Sequence, residues 1–124
     1  MKITLSPLGH TWILDLDGTI VKHNGYKIDG HDTLLDGAAD FISNIPSGDM
    51  IIFITSRTKK YKEATELFLT QNNIRFDHII YDAPFGERIL VNDNKPSGLK
   101  TAISLTVERD AGVENLTVEV DRSL

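Results

Sequence analysis

The sequence predicts an α/β domain whose core is a doubly wound parallel sheet. Two apolar runs point there first. Trp12-Ile13-Leu14 and Met50–Ile54 are short, rich in β-formers and stop abruptly at polar residues, as buried strands do. A helical pattern follows each run. Strands alternating with helices predict a parallel sheet covered on both faces. At 124 residues the chain is a single domain. A chain of that size buries roughly two-thirds of its unfolded surface. Hydrophobic content of 40% and charged content of 25% belong to a globular domain with a core.

The elements follow in order. The first strand, Trp12–Leu14, leads into Asp15-Leu16-Asp17-Gly18-Thr19. Residues 20–35 are broken by Gly25 and Gly30 and made polar by His23, Asn24, Tyr26, Lys27 and His31, so they form a flap, a loop or hairpin at that strand's end. Asp36–Ile45 spaces Ala38, Ala39, Phe41, Ile42 and Ile45 as a helix would. Met50–Ile54 is the second strand and runs into Thr55-Ser56-Arg57. Thr58–Asn73 is the strongest helix, with Tyr61, Ala64, Leu67, Phe68 and Gln71 on one face. Thr58 is its N-cap and Asn72-Asn73 its stop. His78–Tyr81 is a weaker strand. Ile89-Leu90-Val91 is a further strand, ending in Asn92-Asp93-Asn94. Leu99–Val107 reads as a helix start running into a strand, and Leu116–Val120 as a half-exposed strand. Residues 109–124 are a C-terminal tail, whose last dozen residues are expected to be partly mobile. No repeat or linker divides the chain.

Composition excludes several function classes. Net charge is −5, which gives the chain as a whole no pull on nucleic acid or an anionic membrane. There is no cysteine, hence no disulfide, thiolate nucleophile or iron–sulfur cluster. The longest apolar run, Met50–Ile54, is five residues, far short of the ~20 that span a bilayer. Nothing near Met1 reads as a signal peptide, and the lack of cysteine fits the cytoplasm. The four histidines show no ligand spacing. Lys59-Lys60-Tyr61-Lys62 reads as a solvated helix face rather than a nucleic-acid patch.

The polar clusters sit where chemistry is expected. In open α/β sheets, ligands bind beyond the carboxyl ends of the strands. Asp15 and Asp17, Thr55 and Asp93 all follow predicted strands. The same interval, 37 residues, separates Asp17 from Thr55 and Thr55 from Asp93. Each interval has room for one helix and a return to the same sheet edge. Asp15 and Asp17 would repel one another, and a hard cation such as Mg²⁺ relieves that repulsion. Such a site suits phosphoryl transfer, which needs positioning and charge neutralisation. A calcium loop is the alternative reading of Asp15-Leu16-Asp17-Gly18. Its further acidic ligands are missing, and glycine falls too early for an EF-hand.

Asp15-Leu16-Asp17-Gly18-Thr19 after a buried strand resembles the first motif of the haloacid dehalogenase superfamily of aspartate-nucleophile phosphatases. Thr55 resembles the second motif and Asp93 the acidic fourth, over residues 11 to about 98. The resemblance implies a Rossmann-like fold, an aspartyl-phosphate on Asp15, and Asp17 as general acid and then base. It implies Thr55 on a phosphoryl oxygen, and Mg²⁺ held by the Asp15 carboxylate, the Asp17 backbone carbonyl and Asp93, partly through water. Gly18 and Thr19 would shape the turn against the substrate, with Ser56 beside it. Arg57 would either bind substrate or cover the sheet edge. The family also expects a lysine near the fourth motif, yet none occurs from Arg75 through Asn92. Lys95 is the best candidate. Lys59 and Lys60 are alternatives, and Arg88 is set aside because it begins a predicted strand.

Neither 37-residue interval has room for a cap domain, so the chain resembles a capless member. An open site of that kind suits a large substrate, or a small one enclosed by a second copy in a homo-oligomer. Tyr81–Pro84 and Arg88–Gly98 are similar to small capless phosphatases of capsule and surface-polysaccharide synthesis. That likeness implies a sugar phosphate or another small phosphorylated metabolite as substrate. Three other functions compete. One is a receiver-like phospho-acceptor module, although its acidic groups usually lie on different strands. Another is a nucleic-acid 3′-end phosphatase, against which the net charge counts. The last is a catalytically dead relative, suggested by the missing lysine.

Overall fold

The computed structural model describes residues 1–124. It is a small α/β arrangement with parallel strands in two sheets. The larger sheet has the order β2-β3-β4, formed by Thr11–Asp15, Met50–Ile54 and His78–Ile80. Both ladders are parallel, with Asp15 beside Ile54 and Ile54 beside Ile80. Two crossovers make this possible, one through α2 (Ala38–Asn44) and one through α3 (Lys62–Gln71). The smaller sheet pairs β1 (Lys2–Leu5) with β5 (Thr117–Val120), also in parallel.

β3 is central, and its sequence shows why. Ile51 and Phe53 are fully buried on one face, among Leu16, Ile20, Ala38, Ile42, Leu69 and Ile74. Burying side chains of this size contributes about 1.5–3 kcal/mol each. α2 keeps the predicted register: Ala38, Ile42 and Ile45 are buried, and Phe41 packs against the core.

The next helix differs from expectation. Residues Lys59–Tyr61 form one 3₁₀ turn before α3, and Thr58 makes no side-chain cap. Thr65 and Leu69 face the core, while Leu67 is exposed. The buried face of α3 therefore lies one position on from the expected one, and Ala64 is exposed. The stop at Asn72-Asn73 is as expected, with Asn73 left-handed at φ 58°.

Residues 20–35 form the expected excursion. Val21 bridges Leu34, Lys22 N–H donates to the Thr33 carbonyl at 2.9 Å, and a short helix, α1 (Gly25–Ile28), lies between them. Ile20 and Val21 belong to the core, so the flap proper starts at Lys22.

Two predicted elements do not form. Ile89–Val91 is not a strand and is exposed, and Leu99–Val107 is irregular. The cause lies just after β4. Asp82 adopts φ 59°, and the N–H groups of Asp82 and Ala83 donate back to the carbonyls of Arg57 and Thr55. The chain curls onto the end of β3 instead of extending the sheet, and Ile89–Val91 does not return to either free edge, at β2 or at β4. Leu116–Val120 shrinks to β5, which pairs with the unpredicted β1 and not with the larger sheet.

The tail bonds back onto the body of the chain. Asp110 N–H donates to the Gly18 carbonyl at 2.8 Å, and Val113 N–H to the Asp36 carbonyl at 3.0 Å.

Candidate active site

β2 and β3 deliver the two aspartates and Thr55 to one sheet edge. After Asp15 the chain makes a tight turn: Leu16 N–H still donates to Ile54, while the Leu16 carbonyl accepts from Ile20 and Val21. Gly18, at φ 89°, closes the turn, with its N–H 2.7 Å from the Val21 carbonyl. An L side chain rarely adopts that φ.

Asp15 is open and Asp17 is enclosed. The Asp15 carboxylate is 37% exposed and lines a wide concavity of about 1380 Å³. Its Oδ2 accepts from the Thr19 hydroxyl at 3.0 Å, and its Oδ1 from Arg88 Nη1 at 2.6 Å. Asp17 Oδ2 accepts from the Thr55 hydroxyl at 2.7 Å. Asp17 Oδ1 accepts from Arg57 Nε at 3.0 Å and Nη2 at 2.8 Å.

Arg57 is the most heavily bonded side chain of the site. Arginine has five N–H donors. Besides the two on Asp17, Nη1 and Nη2 donate to the two oxygens of Asp32, at 2.9 and 2.6 Å. Nη1 also donates to the Thr65 hydroxyl at 3.0 Å. The Tyr26 ring lies over the guanidinium, 3.9 Å from centroid to Cζ. Burial alone would push the Arg57 pKa down, but its bonds to Asp32 and Asp17 outweigh that and push it up, so it stays charged.

These contacts correct several expected roles. Arg57 is buried with every donor taken, so it has none left for substrate. Thr55 is buried and spends its one O–H on Asp17 rather than facing a phosphoryl group. Thr19 is bonded to Asp15. Ser56 lines the concavity, and so do Asp93 and Lys95. Asp93 and Lys95 are exposed on the irregular segment, and neither bonds Asp15 or Asp17. The cation on Asp15 is Arg88, which the sequence reading placed in a strand that does not form.

No three His, Asp or Glu side chains gather closely enough to hold a metal ion by themselves. Both Asp15 oxygens carry the bonds to Thr19 and Arg88 just described, and the exposed Asp93 lines the same concavity without bonding Asp15. A magnesium ion here would draw on the Asp15 carboxylate, the Asp17 backbone carbonyl and Asp93, and would need Arg88 to yield its Asp15 oxygen.

Two participants escaped the sequence reading. Asp32 comes from the flap, 25 residues from Arg57, and no local motif marks it. Asp110 comes from the tail; besides its bond to Gly18, its Oδ1 accepts from His23 N–H at 2.8 Å. The adjacent Arg109-Asp110-Ala111-Gly112 was a turn signal that could have suggested a return to the motif.

No family model and no curated protein matches the sequence. Among solved structures, the chain is similar to one from the Pnkp1/Rnl/Hen1 RNA repair complex, at 28% identity and a TM-score of 0.52. The match covers 65% of this chain and 28% of that one. A second structure of a Pnkp1/Rnl/Hen1 complex is similar at 27% identity and a TM-score of 0.52, over 67% of this chain and 31% of that one. The chain thus spans less than a third of the length of the chains it resembles.

Proposed function

We propose that the chain is a capless phosphomonoester hydrolase of the haloacid dehalogenase type, acting through an aspartyl-phosphate on Asp15. The β2-β3-β4 sheet is then part of a doubly wound, Rossmann-like sheet. The observation that carries this reading is the contrast between the two aspartates. Asp15 opens to the concavity with a cation against it, as a nucleophile requires. Asp17 is held by Thr55 and Arg57 one turn away.

In this reading an Asp15 oxygen bonds to phosphorus and the bond to the leaving oxygen breaks. Asp17, which must enter the cycle carrying a proton, gives it to that oxygen. Asp17 then takes a proton from water as the water oxygen bonds to phosphorus. The Asp15–phosphorus bond breaks, releasing phosphate and restoring both carboxyl groups. Arg88, in place of the expected Lys95, offsets the charge on Asp15. Magnesium stays an implication of the family resemblance, and no step here passes through it.

The first substrate class is a small phosphorylated metabolite such as a sugar phosphate. A second reading, a phosphorylated nucleic-acid end, is favoured by the likeness to chains of an RNA repair complex. Six cations on the concavity wall, Lys27, Arg57, Arg88, Lys95, Lys100 and Arg109, outnumber its four carboxylates, Asp15, Asp17, Glu87 and Asp93, and also support it despite the net charge of −5. Phosphate release from sugar, polyol and amino-alcohol phosphates, nucleotides and a 3′-phosphorylated oligonucleotide separates the two, with and without Mg²⁺. Steep loss of activity with salt on the oligonucleotide alone marks the second. Release from none of them would overturn both.

A further inference from the structure

Asp32 has no place in the mechanism above, yet it is among the most deeply placed carboxylates of the site. Its side chain is 6% exposed, and its bonds are to Arg57 alone. With Asp17 carrying the proton of the general acid, Asp32 is the full counter-charge of Arg57, and an ionised, nearly enclosed acceptor fixes the guanidinium more firmly than a neutral one.

The geometry shows what a second carboxylate adds. Asp32 takes the end of the guanidinium, with Nη1 and Nη2 donating to separate oxygens. Such a fork fixes the guanidinium plane. Asp17 takes the remaining side, Nε and Nη2. The Tyr26 ring covers the guanidinium face. Tyr26 and Asp32 both belong to the flap, so the flap grips Arg57 by edge and by face. Arg57 in turn grips Asp17.

We propose that Asp32 is a positioning residue: through Arg57 it makes the orientation of Asp17 depend on the seated flap. The inference rests on the hydrolase reading for its consequence, but the link itself is a property of the side chains. Asp32→Asn presents an NH₂ to one Nη donor, breaks the fork and frees the guanidinium to turn. Asp17 then loses its orientation while Asp15 keeps its own partners.

Two measurements test this. The first compares leaving groups in wild type, Asp32→Asn and Tyr26→Ala, after circular dichroism has shown that each is folded. p-Nitrophenolate leaves without a proton from Asp17, whereas an alkyl alkoxide needs one. With p-nitrophenyl phosphate, Asp32→Asn should give a normal burst and then accumulate phosphorylated Asp15, because water attack still requires Asp17. With an alkyl phosphate, kcat should fall by about 10²-fold, the scale of a lost acid–base contribution. Tyr26→Ala should shift in the same direction by less. Equal losses in the burst and on the alkyl phosphate would make Asp32 merely structural and overturn the proposal.

The second measurement needs no activity. The Arg57 Nε–H proton, read by ¹⁵N-edited NMR, should exchange at least about tenfold faster in Asp32→Asn, as a loosened hydrogen bond allows. Unchanged exchange would also overturn the proposal. Faster exchange in a protein inert on every ester would support the link and defeat the hydrolase reading instead.

Discussion

Two arginines reach the strand-end aspartates, and they are used differently. Arg57 spends every donor inside the protein, while the only side-chain bond of Arg88 is to Asp15. Arg57→Ala should therefore destabilise the fold by about 3–5 kcal/mol, because it strands Asp17 and Asp32 without a counter-charge. Urea unfolding at neutral pH checks this; a loss under about 1 kcal/mol would show that water replaces the guanidinium at little cost. A second cluster ties the start of β2 to the start of β3. Asp49 is buried, accepting from Trp12 Nε1 at 3.0 Å and from His10 N–H at 3.1 Å. Burial opposes its ionisation, but the bonds from Trp12 and His10 outweigh that and hold its carboxyl below the usual range. A depressed carboxyl pKa stabilises the fold above the unfolded value of about 3.9 and loses that stability as pH falls through the folded value. Asp49→Asn should thus cost about 1–2 kcal/mol at pH 7. The gap between variant and wild type should narrow below about pH 4. Denaturant midpoints at both pH values would reveal it; a gap independent of pH would remove the ionised carboxylate from the explanation.

At the scale of elements, what was legible in the sequence was local. Trp12–Leu14 and Met50–Ile54 read as strands because apolar β-formers end abruptly at polar residues, and Asp15 and Thr55 come out together for the same reason. The face of α3 is not legible because Leu67 and Leu69 offer two apolar phases, and only packing against the core selects Leu69. Ile89–Val91 reads as a strand by composition, but a strand also needs a neighbour, and after the turn at Asp82 the segment does not return to either free edge of the sheet. That misplacement also hid Arg88. β1 pairs with β5 more than a hundred residues away, and the tail contact of Asp110 reaches back 87 residues to His23, which no local pattern encodes. The crossing of the tail over the start of α2 rests on two glycines. Gly37 has φ 78°, and a Cβ there would sit 2.5 Å from Glu114 Cβ. Gly112 has φ 80°, and a Cβ there would run into the Asp36 carbonyl. Gly112→Ala should destabilise the protein by about 1–3 kcal/mol through backbone strain and this clash. It should also open the tail to limited proteolysis. A variant as stable and as resistant as wild type would mean that this crossing carries no weight.

Over the whole molecule, the two sheets divide the labour. The three-stranded sheet carries the core and presents the aspartates. The two-stranded one joins the ends of the chain, with every β5 residue exposed. A lone two-stranded sheet is marginally stable in water. Native-state hydrogen exchange should therefore protect the amides of Ile51–Ile54 most strongly, and those of β1 and β5 by at least about 2 kcal/mol less. Equal protection would make the molecule one cooperative unit. No helix is long and apolar enough to cross a membrane. The whole arrangement leaves Asp15 as the open carboxylate at the strand ends, and the central claim stands on that residue. Phosphate release from the phosphomonoester panel, with wild type and Asp15→Asn side by side, tests it most directly. The account predicts turnover by wild type and a loss on the order of 10³-fold or more in Asp15→Asn, with the fold retained, as expected when a nucleophile is removed. Full activity in Asp15→Asn would contradict it.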